Sequence, residues 1–295
     1  MPTPRVIQRR IKSVRNISQV TRAMEMVAAS RMRRAQQATL ASRAYAEKAW
    51  EVLTFLASQP GRGNLMHPLL EERAEVQNIA LILFTSDRGL CGAYNINVIR
   101  AVLTFMQQHA SRKSIKLITV GRRGRDFAVR YGKEMIAEFI GLSERPTLLN
   151  VAPISKIAIE EFTQGKVDEV YLVYTNFVNT LVQRPTLRRL LPIRPGVMPT
   201  EGAHALYIFE PDPETILGSV LPRFTELQIY QALLESVASE HSARMVAMRS
   251  ATENARELIG DLTLAMNKAR QAGITKEMLD ISGGAEALRQ ALAAK

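Results

Sequence analysis

Cysteine is all but missing from this 295-residue chain: Cys91 stands alone. No internal disulfide can form, which fits a reducing compartment. Long apolar runs are also missing, since none reaches the ~18 residues a membrane span needs. The opening Met1-Pro2-Thr3-Pro4-Arg5 lacks the apolar centre of a secretory signal. Its arginines imitate an organelle transit peptide, yet a helical pattern begins at once, so no removable leader is expected. Aromatic residues make up only 6% of the chain, while Ala, Leu, Met and Arg abound; that bias favours helix. Between Arg5 and Leu56 there is neither glycine nor proline. Acid is scarce there too: the first 50 residues hold eleven Lys or Arg against Glu25 and Glu47, nine of the formal net charge of +11. Such asymmetry points to an acidic partner, a nucleic acid or an anionic membrane, or to a solvated helix face.

Catalytic signatures are lacking as well. His67, His109, His204 and His241 have no neighbours at metal-ligand spacing. His241 lies on an apolar stripe and reads as a packed residue. No Gly-x-x-x-x-Gly-Lys-Ser/Thr loop occurs. Two loops do carry glycine after strand-like runs: Thr85 to Asn95, and Gly121-Arg122-Arg123-Gly124. Both are read chiefly as tight turns. Either can also bring backbone N–H groups to an anion at a helix start, though neither matches the full dinucleotide fingerprint. Cys91 beside Gly92 lacks the local signature of a nucleophile. No catalytic residue, cofactor or metal is expected. The basic Ser30-Arg31-Met32-Arg33-Arg34-Ala35 has no interleaved aromatics, against single-strand binding; duplex contact through phosphates stays open.

What is present divides into three. In residues 1–58, Ile7, Ile11, Val14, Ile17, Val20, Met24 and Val27 recur at steps of three and four, a helical stripe. Roughly 50 residues of helix span about 75 Å. Gln59-Pro60-Gly61-Arg62-Gly63 ends it. Residues 76–210 alternate between short apolar runs and helical stretches. Strands are expected at 79–84, 116–120, 167–176 and 188–193. Helices are expected at 97–108, from 120 to Tyr131, and at 154–162. That order argues for a layered α/β domain with a mainly parallel sheet. In residues 211–295, Asp212 caps a helix with Pro213 in its first turn. An apolar stripe then runs from Ile216 to Ala269. Pro222 should kink or delay this helix, and Ala272-Gly273 should break or weaken it. Two helices this long exceed what a domain about 30 Å across can cover, so their stripes must cover each other. The expected fold is α/β plus a long antiparallel coiled coil: the terminal helices pair, with a Rossmann-like α/β domain inserted between them.

Three separated blocks carry a resemblance. The first runs from Ile11-Lys12-Ser13-Val14-Arg15-Asn16-Ile17 to Thr21-Arg22-Ala23-Met24-Glu25-Met26-Val27-Ala28-Ala29-Ser30. The second is Ser86-Asp87-Arg88-Gly89-Leu90-Cys91-Gly92-Ala93-Tyr94-Asn95. The third runs from Glu240-His241-Ser242-Ala243-Arg244 to Ala255, then Asn267-Lys268-Ala269-Arg270-Gln271-Ala272-Gly273-Ile274-Thr275. In order and spacing they resemble the gamma subunit of F-type ATP synthase, of the bacterial type. The resemblance implies a non-catalytic, central-stalk rotor, one copy per complex, that couples ion flow to ATP synthesis. Its implied partners are the alpha and beta subunits of the catalytic head, the epsilon subunit and the membrane c-ring, on the cytoplasmic face of the cell membrane. It further implies that Met24, Arg244, Arg270, Gln271 and Thr275 serve contact with the catalytic subunits. Tyr207 and Glu210 would face the rotor ring or epsilon. The chloroplast-type relative carries a redox-active cysteine pair; one cysteine leaves no such switch here. The rival reading is a basic coiled-coil nucleic-acid-binding protein. A third, an α/β enzyme with helical dimerisation arms, lacks a visible site.

Overall fold

The computed structural model describes residues 3–58, 67–109, 114–142, 145–194 and 213–293. Helix α1 is Pro4–Ser58, and helix α5 is Pro213–Ala293. Between them lie β1 (Asn78–Phe84), α2 (Tyr94–His109), β2 (Ser114–Val120), α3 (Arg122–Arg130), β3 (Met135–Phe139), α4 (Leu148–Thr163), β4 (Glu169–Phe177) and β5 (Gln183–Leu191). The chain divides into two compact units, Met1–Val27 with Val246–Lys295, and Ala28–Met245.

The larger unit is built on a five-stranded sheet in the order β3-β2-β1-β4-β5. The first four strands are parallel, and β5 runs antiparallel to β4. The mainly parallel sheet is as expected. Strand β1 is central, and its unbroken apolar run suits burial on both faces. Alternation then sorts its side chains. Ile79, Leu81 and Leu83 join Val98, Val102 and Phe127 of α2 and α3 on one face. Ala80, Ile82 and Phe84 join Ile154 and Phe162 of α4 and Leu221 and Phe224 of α5 on the other. There the ring of Trp50 also stacks on Phe224, with centroids 5.4 Å apart. At the amino end of β1 the Asp168 carboxylate accepts from Arg73 Nη1 at 2.7 Å and from the backbone N–H of Gln77 and Asn78 at 2.8 Å.

Several elements differ from the sequence expectation. Strand β3 is an extra one; its Met-Ile-Ala-Glu-Phe sits on an edge and is only half-buried, so no continuous apolar run marks it. Helix α4 starts six residues early. Asn150 Oδ1 accepts from Thr147 N at 2.9 Å and secures the first turn, and the helix absorbs Pro153. Strand β5 begins five residues early and tolerates Pro185 because an edge strand can spare a donor. Helix α5 does not delay at Pro222 and does not break at Gly273. A Cβ added at Gly273 would meet nothing within 4 Å. No packing or left-handed turn interrupts the helix there, and its Gly cost of about 1 kcal/mol is too small to end it.

In the smaller unit α1 and α5 pair in antiparallel sense. Thr21 Oγ1 lies 2.7 Å from Thr252 Oγ1, and Arg249 Nε donates to Glu25 Oε1 at 2.9 Å. As the α1 number rises by four, the α5 number falls by three. The residues α1 withdraws from solvent there include Ile7, Ile11, Val14, Ser18, Thr21 and Glu25, and the same spacing continues along the helix through Ala28, Met32 and Ala35 of the larger unit. Their steps alternate four and three, the 3.5-residue period of a coiled-coil seam.

Candidate partner-contact surface

The seam places the first group of expected contact residues. Ile17, Val20, Met24 and Val27 each precede a seam residue by one position, and one residue is about a 100° turn. They therefore form a second apolar face beside the seam. Ile17 is 53% and Val20 59% exposed, and Val27 is exposed as well. Met24 is half-buried, at the rim next to the Glu25–Arg249 pair. The sequence stripe was right about the helix but merged two faces. Beyond Val14 the seam runs through polar Ser18, Thr21 and Glu25, which a search for apolar residues passes over. The unbroken four-three spacing to Ala28, Met32 and Ala35 was the signal that could have found it.

The second group lies on α5. In the smaller unit its withdrawn residues include Met248, Thr252, Ala255, Ile259, Leu262, Met266 and Ala269. With Thr21 against Thr252, the first turn of α1 stands against residues near 269. Past that point α1 has no residue to offer within its helix, and α5 continues for 23 residues, 271–293, or about 35 Å. Arg270, Gln271 and Thr275 are exposed. So are Ile274, Met278 and Ile281, at steps of four and three along one side. These three residues form an apolar stripe that no described part of this chain covers.

Arg244 is placed differently. It is 9% exposed, within the larger unit. Its Nη2 pairs with Glu240 Oε1 at 2.7 Å and donates to Gly89 O at 3.2 Å, and its Nη1 lies 3.2 Å from His241 Nδ1. The guanidinium thus ties α5 to the loop after β1. Burial pushes the Glu240 carboxyl up against the pull of Arg244. Burial lowers the His241 ring to about 4, helped by Arg244 and Arg31, so His241 is neutral at ordinary pH. The loop itself is held by Ser86 N donating to Asn95 Oδ1 at 3.0 Å. Leu90 and Gly92 take positive φ of 63° and 55°, the tight turn expected of it. Cys91 is buried within it. Tyr207 and Glu210 lie outside the described residues.

Among the described residues no group of His, Cys, Asp or Glu is arranged to hold a metal, and no helix is long and apolar enough to cross a membrane. A helical pair with uncovered apolar faces in one unit, and a doubly covered α/β sheet in the other, define a protein that works by contact within a larger assembly. The family model described as ATP synthase matches residues 3–288. The ATP synthase gamma chain of Dehalococcoides mccartyi is 51% identical over 288 residues, covering 98% of this chain and 100% of that one. That of Chloroflexus aurantiacus is 49% identical over 290 residues, covering 98% and 99%. Among solved structures, a chain of the Euglena gracilis mitochondrial ATP synthase OSCP/F1/c-ring structure aligns with TM-score 0.64 at 17% identity, covering 97% of this chain and 94% of that one. A chain of the Tetrahymena thermophila central stalk/c-ring structure aligns at TM-score 0.59 and 23% identity, covering 79% and 99%. The chain belongs to the ATP synthase gamma-chain family, a non-catalytic subunit of that enzyme. The nucleic-acid reading has no support among these relatives.

Proposed function

We infer that this chain is the central-stalk rotor of an F-type ATP synthase. It transmits torque between transmembrane ion flow and ATP synthesis or hydrolysis at partner catalytic subunits. The observation that carries this reading is the pair of uncovered apolar faces, Ile17, Val20 and Val27 on α1 and Ile274, Met278 and Ile281 on α5. Contiguous exposed apolar surface marks a contact site, and here it runs along a rod. A rod that turns presents different faces to surrounding catalytic subunits in succession. It changes their nucleotide affinity only through contacts that differ between rotary positions.

The working parts are a helical pair, 1–58 with 211–295, and an α/β insert, 76–210. Met24 sits at the α1 contact face. Arg270, Gln271 and Thr275 engage a catalytic-subunit loop. Arg244 serves the same coupling from inside, by fixing α5 to the loop after β1. Tyr207 and Glu210 face the rotor ring and the epsilon subunit. The basic helix α1 complements acidic surfaces on the alpha and beta subunits. One copy works per complex, held peripherally at the cytoplasmic face of a bacterial membrane.

Purification with the catalytic subunits followed by ATPase assay tests this. The chain should co-purify and change their turnover. A chain that does neither is not their rotor. Met24→Lys should then weaken ATP-driven ion pumping while leaving ATP hydrolysis largely present, because a cation at the rim alters contact and not the catalytic site. Equal loss of pumping and hydrolysis would count against the Met24 interface.

A further inference from the structure

Two glycine loops were left over from the sequence, and the fold joins them. Thr85 Oγ1 accepts from Gly124 N at 2.8 Å, and Asp87 Oδ1 accepts from Arg122 N at 2.9 Å. The loops are pressed together so closely that a Cβ on Gly121 would lie 2.1 Å from Thr85 O. Beside them a cleft of about 460 Å³ opens at the carboxyl ends of β1, β2 and β3, closed on one side by α5. Clefts of about 300–1,000 Å³ accommodate small ligands, and in open α/β sheets ligands enter from the carboxyl ends of the strands.

The lining has two characters. Val120, Leu142, Leu233 and Val237 supply an apolar floor. Arg31, Arg88, Arg122 and Arg244 supply four positive charges against Asp87 and Glu240, with His241 neutral. Glu240 is already matched by Arg244. The Asp87 carboxylate is held by the backbone N–H of Arg122 and of Gly141, the latter at 3.0 Å. Those two amides are thus already taken by the protein's own carboxylate. The guanidinium groups of Arg88 and Arg122 remain. Both residues are exposed at the cleft mouth, and among the described residues neither guanidinium has a hydrogen-bond or ion-pair partner.

We propose that this cleft binds a phosphate-bearing small molecule, with the Arg88 and Arg122 guanidiniums grasping the phosphate and the apolar floor receiving any attached organic body. Guanidinium forks bind phosphate oxygens two at a time. The excess of positive charge draws a dianion into a partly water-excluded space, where the attraction is stronger than in bulk water. The missing dinucleotide fingerprint is consistent with this placement, because the phosphate is held by side chains and not by a glycine-rich backbone cradle. The proposal does not rest on the rotor reading, and its failure leaves that reading untouched.

Calorimetric titration of the purified full-length chain with inorganic phosphate, ADP and adenosine tests it. Saturable binding of ADP, of phosphate, or of both is expected, with a Kd of about 1 mM or tighter. ADP binding more tightly than phosphate assigns a nucleotide; similar affinities assign free phosphate. The double variant Arg88→Ala/Arg122→Ala should weaken binding at least about tenfold, a loss of about 1.4 kcal/mol. Both side chains are exposed, so circular dichroism of the variant should match the parent. Arg130→Ala, at the opposite end of α3, should bind as the parent does. The proposal is overturned by no saturable binding of either anion, by a double variant that binds like the parent, or by adenosine binding as tightly as ADP.

Discussion

His241 shows how much one buried side chain can encode. The sequence marks it as a packed residue on an apolar stripe, and it is buried. Its surroundings were not legible: Glu240 and Arg244 on α5, Arg31 on α1 and, through Glu240, Asp87 on the loop after β1 come from three parts of the chain. Burial and the two arginines lower the ring from 6.5 to about 4. Between those values the unfolded chain takes up a proton that the folded chain refuses. Stability is therefore full above pH 6.5 and falls as pH drops toward 4. Glu240, raised by burial, pulls in the opposite sense, so the His241 share is isolated by difference. His241→Gln, which keeps an acceptor for Arg244, should lose about 2 kcal/mol less stability than the parent between pH 7 and pH 5. Urea unfolding followed through the single tryptophan, Trp50, reads this out. Parallel stability profiles would mean the ring is protonated in the folded chain.

At the scale of elements, the helix type was easy to read and the helix face was not. Composition and step pattern mark α1 as helical over nearly its whole length. The strands of the sheet interior announce themselves by unbroken apolar runs, while edge strands β3 and β5 do not, because half-buried strands need no such run. The seam of α1 was hidden because a coiled coil that must present a second apolar face puts polar Ser18, Thr21 and Glu25 inside. The Thr21–Thr252 bond then fixes which turn of α1 meets which turn of α5, as a polar seam position does. The two faces predict opposite outcomes. Ile11→Ala removes a buried seam residue and should cost about 2–4 kcal/mol. Ile17→Ala removes an exposed one and should change stability by less than about 0.5 kcal/mol, while weakening attachment to the catalytic subunits. Thermal melts of the two variants, with co-purification yields, check the pair. An Ile17→Ala chain that melts like Ile11→Ala would place Ile17 in the seam.

At the scale of the whole molecule, the decisive feature is the stretch of α5 that outruns its partner. Residues 271–293 carry Ile274, Met278, Leu279 and Ile281 exposed. Gly273, Gly283 and Gly284 lie in the same helix with open space where each side chain would be. An isolated helix of this length, with three glycines each costing about 1 kcal/mol, is marginal in water. Within the smaller unit nothing described covers it, so on the rotor reading proposed above its order comes from a surrounding partner. Deleting 274–295 should therefore leave the melting temperature of the free chain within about 1–2 °C of the parent, since every described side chain that is lost is exposed. In the assembled complex the same deletion should lower ATPase turnover and loosen the chain's retention. Arg270→Ala with Gln271→Ala should do likewise, slowing turnover without moving the melt, because both side chains are exposed. A large drop in the melting temperature of the free chain would show that this end packs within its own molecule. Full turnover and retention in the complex would show that the bearing does not use it. The combination expected, silent in isolation and costly in assembly, is what separates a shaft end held by its socket from an ordinary frayed terminus.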